Sequence, residues 1–324
     1  MQEHFLKEIE IIDYKCFKDF NAKKFKRVNL ISGKNNVGKT AFMEALNINV
    51  NSDKLETFIY HLASVKISRN NLEFREKTNQ ESFDFFKESL EEISCNIKSN
   101  IHKCSFSLKD INATKKFKIE TNSNLYEVNI NDFSYSIESS LNKKFIDNYG
   151  LSYSDIREVF IEIQKNEKEK LLDRYINEFD SSITSFKLLG DTPSCKLTDT
   201  QKYFELNEFG DGLSHYIGII CTLFACKDGF IFIDEIDNSI HYTQLEKLWE
   251  IIFTISKEVN CQVFATTHSK EMINAFAKVS KKLNDEDISF IELGRNKNNE
   301  IKSLTMNYEK LQRELESGNE IRGW

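Results

Sequence analysis

The octapeptide Gly33-Lys34-Asn35-Asn36-Val37-Gly38-Lys39-Thr40 constrains this chain more than any other segment. Its spacing, G-x-x-x-x-G-K-[ST], suits a loop that turns tightly with several backbone N–H groups aimed inward. Gly33 and Gly38 permit the turn, and the inward N–H groups form a nest for phosphate oxygens. Lys39 supplies a mobile charge to the same oxygens, and the Thr40 hydroxyl is of the type that ligates Mg²⁺. Val28-Asn29-Leu30-Ile31 reads as a short buried strand entering the loop, and Ala41-Phe42-Met43-Glu44-Ala45-Leu46 as a helix leaving it. That helix adds the positive end of its dipole. The expectation is a nucleotide held by Gly33 through Ala41; the alternative is a glycine-punctuated surface turn.

With 324 residues, the chain has room for one large α/β domain carrying an inserted subdomain, or for two modest domains. Its 40% apolar and 12% aromatic residues build a core and exclude a disordered chain. Forty-four basic against 51 acidic residues leave a net charge of −7. That balance argues against non-specific coating of nucleic acid, although a local basic groove stays open. The seven cysteines are scattered, with no CxxC pair, as befits reduced thiols rather than a disulfide framework or a zinc site. The N-terminus lacks the apolar run of a signal peptide, and the longest apolar stretch, 216–226, is about half of a membrane span. A soluble, cytoplasmic protein is expected.

Residues 5–31 alternate as short strands around Tyr14-Lys15-Cys16-Phe17-Lys18-Asp19-Phe20. From about 52 to 100 the chain is charged, with helical spacing of Phe83, Phe86, Leu90 and Ile93. Period two then predicts strands at 104–108, 117–119, 126–130 and 133–137. Ile156, Val159, Phe160, Ile163, Leu171, Leu172, Tyr175 and Ile176 place a helix, whole or broken, over about 153–179. The organisation expected is a nucleotide-binding core of 1–51 and 181–324, with 52–180 as an inserted helix–β–helix subdomain.

Gly229-Phe230-Ile231-Phe232-Ile233-Asp234-Glu235 is an apolar strand ending in two carboxylates. An unbroken apolar strand fits the buried centre of a parallel sheet, and ligands of α/β folds bind at such strands' C-terminal edge. Asp234 suits the water shell of Mg²⁺, and Glu235 is placed to polarise a water attacking the γ-phosphate. The alternative is an ordinary strand before an acidic helix cap. A second apolar strand, Gln262-Val263-Phe264-Ala265, runs into Thr266-Thr267-His268-Ser269. There His268 either senses the γ-phosphate or caps the next helix. Gly210-Asp211-Gly212, just before the apolar helix 216–224, is either a second anion-binding corner or a plain turn.

Order and spacing carry a resemblance. The segment Ile9–Phe20, the loop Gly33–Thr40 and the helix after it are similar to those of SMC-like and RecF-like ATPases. Gly210-Asp211-Gly212, Phe232–His241 and Thr266-Thr267-His268-Ser269 resemble the ABC-type ATPases of the AAA group related to the ATPase domain of OLD-family proteins. The likeness covers about residues 1–50 and 168–295. It implies an α/β P-loop ABC-type ATPase head with a mostly parallel central sheet, N-terminal antiparallel strands and an inserted helical/β subdomain. It also implies ATP with Mg²⁺, a site completed by the signature turn 210–212 of a second head, and hence at least a homodimer. Glu235–His241 would then be the D-loop region. The chain departs from the transporter form in having no LSGGQ, with Gly210 at the serine position, and no Q-loop glutamine can be placed.

Only about 55 residues follow His268, too few for the Toprim nuclease domain that OLD-family proteins carry there. No heptad tract is long enough for an SMC arm. The leading expectation is a Mg²⁺-dependent ATP-hydrolysing switch, with Glu235, His268 and Lys39 catalytic, Thr40 and Asp234 on the metal, and a separate effector. The resemblance points to bacterial or phage-linked defence of the PARIS, Septu or Gabija kind. A RecF-like DNA-repair ATPase and an ATP-bound scaffold that sequesters an effector are the alternatives. DNA would need a basic track, for which Lys23-Lys24-Phe25-Lys26-Arg27 and Lys115-Lys116-Phe117-Lys118 are the candidates; solvated hairpin charge is the simpler reading. The C-terminal stretch 308–324 reads as a charged helix ending in Trp324, which is a partner contact or packs back on its own domain.

Overall fold

A computed structural model describes residues 4–59, 61–62, 93–111, 114–122, 124–129 and 141–318. The chain begins with an antiparallel hairpin, β1 (Glu8–Tyr14) and β2 (Phe17–Lys23), and continues through β3 (Val28–Gly33) into helix α1 (Lys39–Val50). Four antiparallel strands follow: β4 (Ile93–Ser99), β5 (Lys103–Ile111), β6 (Thr114–Thr121) and β7 (Asn124–Asn129). Next come β8 (Lys143–Ile146), helices α2 (Tyr153–Lys165) and α3 (Glu169–Phe179), and a small meander of β9 (Ile183–Leu189), β10 (Thr192–Leu197) and β11 (Tyr203–Glu205). The last third alternates helix and strand: α4 (Asp211–Ala225), β12 (Phe230–Ile233), α5 (Leu245–Glu258), β13 (Gln262–Thr267) and α6 (Lys270–Leu283). The antiparallel pair β14 (Ile288–Arg295) and β15 (Ile301–Asn307) then leads to α7 (Tyr308–Glu316).

The central sheet has the order β15-β14-β3-β13-β12-β8. All its neighbours are parallel except the edge strand β15. A second sheet, β2-β1-β4-β5-β6-β7, is antiparallel throughout. This is the α/β architecture expected, with a mostly parallel centre and N-terminal antiparallel strands. The segment assigned to an insert contributes to both sheets: β4 pairs with β1, and β8 pairs with β12 in the centre.

Side-chain alternation explains the layering. Successive strand residues point to opposite faces. Ile231, Ile233, Val263 and Ala265 therefore enter a core shared with α2 to α6, whereas Phe230, Phe232 and Phe264 enter another shared with α1 and the N-terminal hairpin. Aromatic rings lock that second core: Phe20 stands edge-on to Phe42 at 5.3 Å, and Phe25 to Phe264 at 5.4 Å.

Two readings need correction. Ile93, assigned above to a helical face, opens β4, because its spacing from Ile97 also fits a strand; Phe83, Phe86 and Leu90 lie outside the described residues. The predicted strand 133–137 and Trp324 lie outside them too. Arg27 is not a solvated charge. It is buried, it donates to the Phe253 carbonyl at 3.1 Å and to the Ser256 hydroxyl, and it pairs with Asp285. Arg27 thus fastens the start of β3 to the end of α5, a structural use of a residue first weighed for DNA. Of the two forms expected for the helix over about 153–179, whole or broken, the broken one is present: Asn166 to Lys168 separate α2 from α3.

Two core histidines are held neutral. Burial, aided by nearby Lys143 and Lys144 and opposed by Asp53, pushes His61 down to about 3. Burial alone takes His215 of α4 down to about 4. Unfolding returns both toward their ordinary value of 6.5, so the unfolded state binds more protons between that value and about 4. Stability is therefore level above the ordinary histidine range and falls as pH drops below it, by at most about 1.4 kcal/mol per pH unit for each histidine. Urea midpoints measured across the weakly acidic range check this, and His215→Leu should flatten the slope. An unchanged slope in that variant contradicts the assignment.

Candidate functional site

The site lies at the C-terminal edge of the central sheet. β3 runs straight into the loop 33–40, whose Asn36 (φ 61°) and Gly38 (φ 99°) adopt left-handed backbone. At Gly38 a side chain is also excluded sterically. A Cβ there would lie 2.7 Å from Cys16 Sγ and 3.2 Å from Phe17 Cζ, so the hairpin turn between β1 and β2 sits directly on the loop. An ion pair between Lys15 of that turn and buried Glu44 of α1 holds the hairpin in place.

Gly38 is also the N-cap of α1, and no side chain caps the helix or adds an acid to its first turn. Its leading N–H groups and dipole are thus left for an anion. Lys39 is buried and curls over the loop, donating to the Gly33 carbonyl at 2.9 Å and the Lys34 carbonyl at 3.3 Å. Burial pushes its ammonium below the ordinary lysine range, while Glu235, Asp234 and Asp237 oppose the shift by raising it. Those three carboxylates are the main charges acting on Lys39, which brings the loop and the end of β12 into one electrostatic site. Thr40 is half-buried and Ala41 buried beside it, while Lys34, Asn35 and Asn36 stand exposed and Val37 is buried.

Register accounts for how the carboxylates are held. β12 and β13 run parallel with Ile233 beside Ala265, so Asp234 falls beside Thr266 on the α1 face. Thr266 Oγ1 donates to Asp234 Oδ1 and accepts from the Glu235 N–H at 2.8 Å. Glu235 has φ 52°, an unfavourable backbone for glutamate of a kind that gathers at functional sites. Thr267 donates to Asp237 Oδ1 at 2.6 Å. His268 is exposed just past β13 and does not cap α6. Ser269 takes the cap, accepting from the Met272 N–H at 3.1 Å. Among the described residues no hydrogen bond ties His268 to the carboxylates.

The stretch Gly210-Asp211-Gly212 is not a turn preceding α4. Gly210 is its N-cap, and Asp211 and Gly212 lie in its first turn. Gly212 meets the turn after β12: a Cβ on it would stand 2.2 Å from the Ser239 carbonyl oxygen. That turn reaches the end of β8 as well, where the Asn238 amide donates to the Asn148 carbonyl. The β8 end was not singled out from the sequence, because a four-residue strand opening with two lysines carries little signal.

The residues present fit a triphosphate nucleotide with Mg²⁺. The helix end is uncapped, a lysine is buried over the loop, and Asp234 is a buried carboxylate on the same side of the sheet. Among the described residues no cluster of three or more His, Cys, Asp or Glu could hold a metal ion. None of the seven cysteines is joined in a disulfide, and no described helix is long and apolar enough to cross a membrane.

Comparison with known proteins bears on the family and the fold. A family model described as "AAA ATPase domain" matches residues 47–273, a span that includes Asp234, Glu235 and Thr266–His268. A Helicobacter pylori (strain ATCC 700392 / 26695) protein named "ATP/GTP phosphatase" is 31% identical over 118 residues, which are 35% of this chain and 32% of that protein. The chain thus spans about a third of the length of the curated relative it matches. Among solved structures, an SmcHead bound to the C-winged helix domain of ScpA superposes with a TM-score of 0.52 at 12% identity, covering 95% of this chain and 99% of that one. An SMC head domain from Thermotoga maritima gives 0.49 at 14%, covering 93% and 98%.

The contact at Gly212 generates a prediction. Gly212→Ala forces α4 and the 235–240 turn apart and should lower stability by about 1–3 kcal/mol, the usual cost of overpacking. Urea unfolding measures it, and wild-type stability in this variant contradicts the contact.

Proposed function

Since the chain is an ATPase of the AAA ATPase domain family, with the fold of an SMC head, we propose that it is a Mg²⁺-dependent ATP-hydrolysing switch. Lys39, buried in its loop and acted on by both Asp234 and Glu235, carries this reading, because it joins phosphate binding and water activation in one site. The amides of Gly33 through Ala41 and the Lys39 ammonium hold the phosphates. Thr40 and Asp234 hold Mg²⁺, which when bound neutralises phosphate charge. Glu235 polarises the attacking water, and His268 senses the γ-phosphate from the neighbouring strand end.

We further propose that the Gly210-Asp211-Gly212 corner contacts nucleotide on a second copy of the chain, giving at least a homodimer in the cytoplasm. Gly210 and Asp211 stand exposed at the start of α4, which supports that reading. A separate effector, in a bacterial or phage-linked defence setting, is the expected target of the switch. In this proposal 1–51 and 181–324 form the ATPase core and 52–180 the inserted subdomain, with β8 docked on the core sheet.

Glu235→Gln should cut ATP turnover by about a hundredfold or more while ATP binding persists, as loss of an acid–base group does. Chelation of Mg²⁺ should abolish the turnover of the unaltered protein. Phosphate-release assays with a fluorescent ATP analogue measure both, and undiminished turnover in Glu235→Gln sinks the assignment.

A further inference from the structure

Thr266 takes no part in the chemistry proposed above, yet its one hydroxyl contacts both residues that chemistry uses. It is fully buried at the end of β13. Its Oγ1 donates to Asp234 Oδ1, it accepts from the Glu235 N–H at 2.8 Å, and its carbonyl accepts from the Ile236 N–H at 3.0 Å. A hydroxyl has a single proton and two lone pairs. A backbone N–H can only donate and an ionised carboxylate can only accept, so these two partners leave the Thr266 rotor one orientation.

We propose that Thr266 is a positioning residue for hydrolysis, setting the direction of the Asp234 carboxylate and the backbone of Glu235 with the same oxygen. The inference rests on the hydrolytic reading of Asp234 and Glu235 given above. Glu235 lies in left-handed backbone, which persists only where surrounding contacts overdetermine it. Two of those contacts come from Thr266, at the N–H of Glu235 and at that of the next residue. On the carboxylate side, the bond to Oδ1 fixes the plane in which Asp234 presents its other oxygen. An apolar residue at 266 would suit the strand but leave the Glu235 N–H and Asp234 Oδ1 without this partner. The hydroxyl is therefore a chemical requirement of the site, and the β12–β13 register puts it there.

Thr266→Val keeps the branched shape and removes both side-chain bonds; Thr266→Ser keeps the bonds and removes the methyl. In steady-state ATP hydrolysis, Thr266→Val should lose about ten- to a hundredfold in kcat, the scale of a misplaced catalytic group. KM for ATP should stay within about threefold, because the phosphate loop is untouched. The Mg²⁺ concentration for half-maximal rate should rise in Thr266→Val, a change that a merely structural threonine would not produce. Thr266→Ser should recover to within about threefold of wild type. Thermal melts establish that both variants are folded.

Wild-type kcat in Thr266→Val overturns the proposal, as does a Thr266→Ser as slow as the valine variant, which would make methyl packing the requirement. Glu235→Gln assayed in parallel separates the two levels. If it still turns over, the hydrolytic reading falls and Thr266 with it. If it is inactive while Thr266→Val is fast, the reading stands and only the role of Thr266 falls.

Discussion

β13 lies between the strand that delivers the phosphate loop and the strand that delivers the carboxylates, and its register fixes the site. Its pairing with β3 sets Thr266 beside Ile31 and Thr267 beside Ser32, one residue before Gly33. Its pairing with β12 sets Ala265 beside Ile233. A slip of one residue on either side would turn every side chain to the opposite face. Asp234 would then leave the α1 face on which Lys39 lies, and Thr266 would point into the helical core. The large apolar side chains below, Phe232 and Phe264 on one face and Ile231 and Val263 on the other, are what make that slip costly.

Around this centre the chain ties its loops to one another. The turn after β12 touches β13 through Thr266 and Thr267, α4 through Gly212, and the end of β8 through Asn148. The N-terminal hairpin closes the phosphate loop from the other side, at Cys16 and Phe17, and its own turn is pinned to α1 through Lys15 and Glu44. Each loop at this edge therefore has a neighbour from a distant part of the chain.

Much of the sheet was legible in the sequence, for reasons specific to its elements. β12 is an unbroken apolar run, and the apolar residues of β3 and β13 are interrupted only by Asn29 and preceded only by Gln262; all three are buried throughout, the pattern of strands covered on both faces. β8 was not legible, because Lys143 and Lys144 bury their stems while their heads reach the Val50 carbonyl and Glu158. β14 carries an apolar run, but buried Glu292 and the lack of an attached motif made it easy to pass over. Arg27 belongs to a run of charges whose other members give no hint that one of them is interior. Thr266 is the deeper case. Nothing about a threonine at a strand end marks it, and only the register against β12 gives it two partners.

The pairing of β3 has a consequence for how the protein comes into being. β3 is flanked in the sheet by β13 and β14, so the strand that carries the phosphate loop has no sheet partner until residues beyond 260 exist. During synthesis the loop 33–40 emerges more than two hundred residues ahead of β13 and must wait for them before its geometry can form. Contacts of such long sequence separation fold slowly, since chain closure is paid before any contact rewards it. A nascent or truncated chain that stops short of β13 therefore carries the whole sequence of the 33–40 loop without the strand pairing that shapes it, and the site can form only once β13 and β14 have been made.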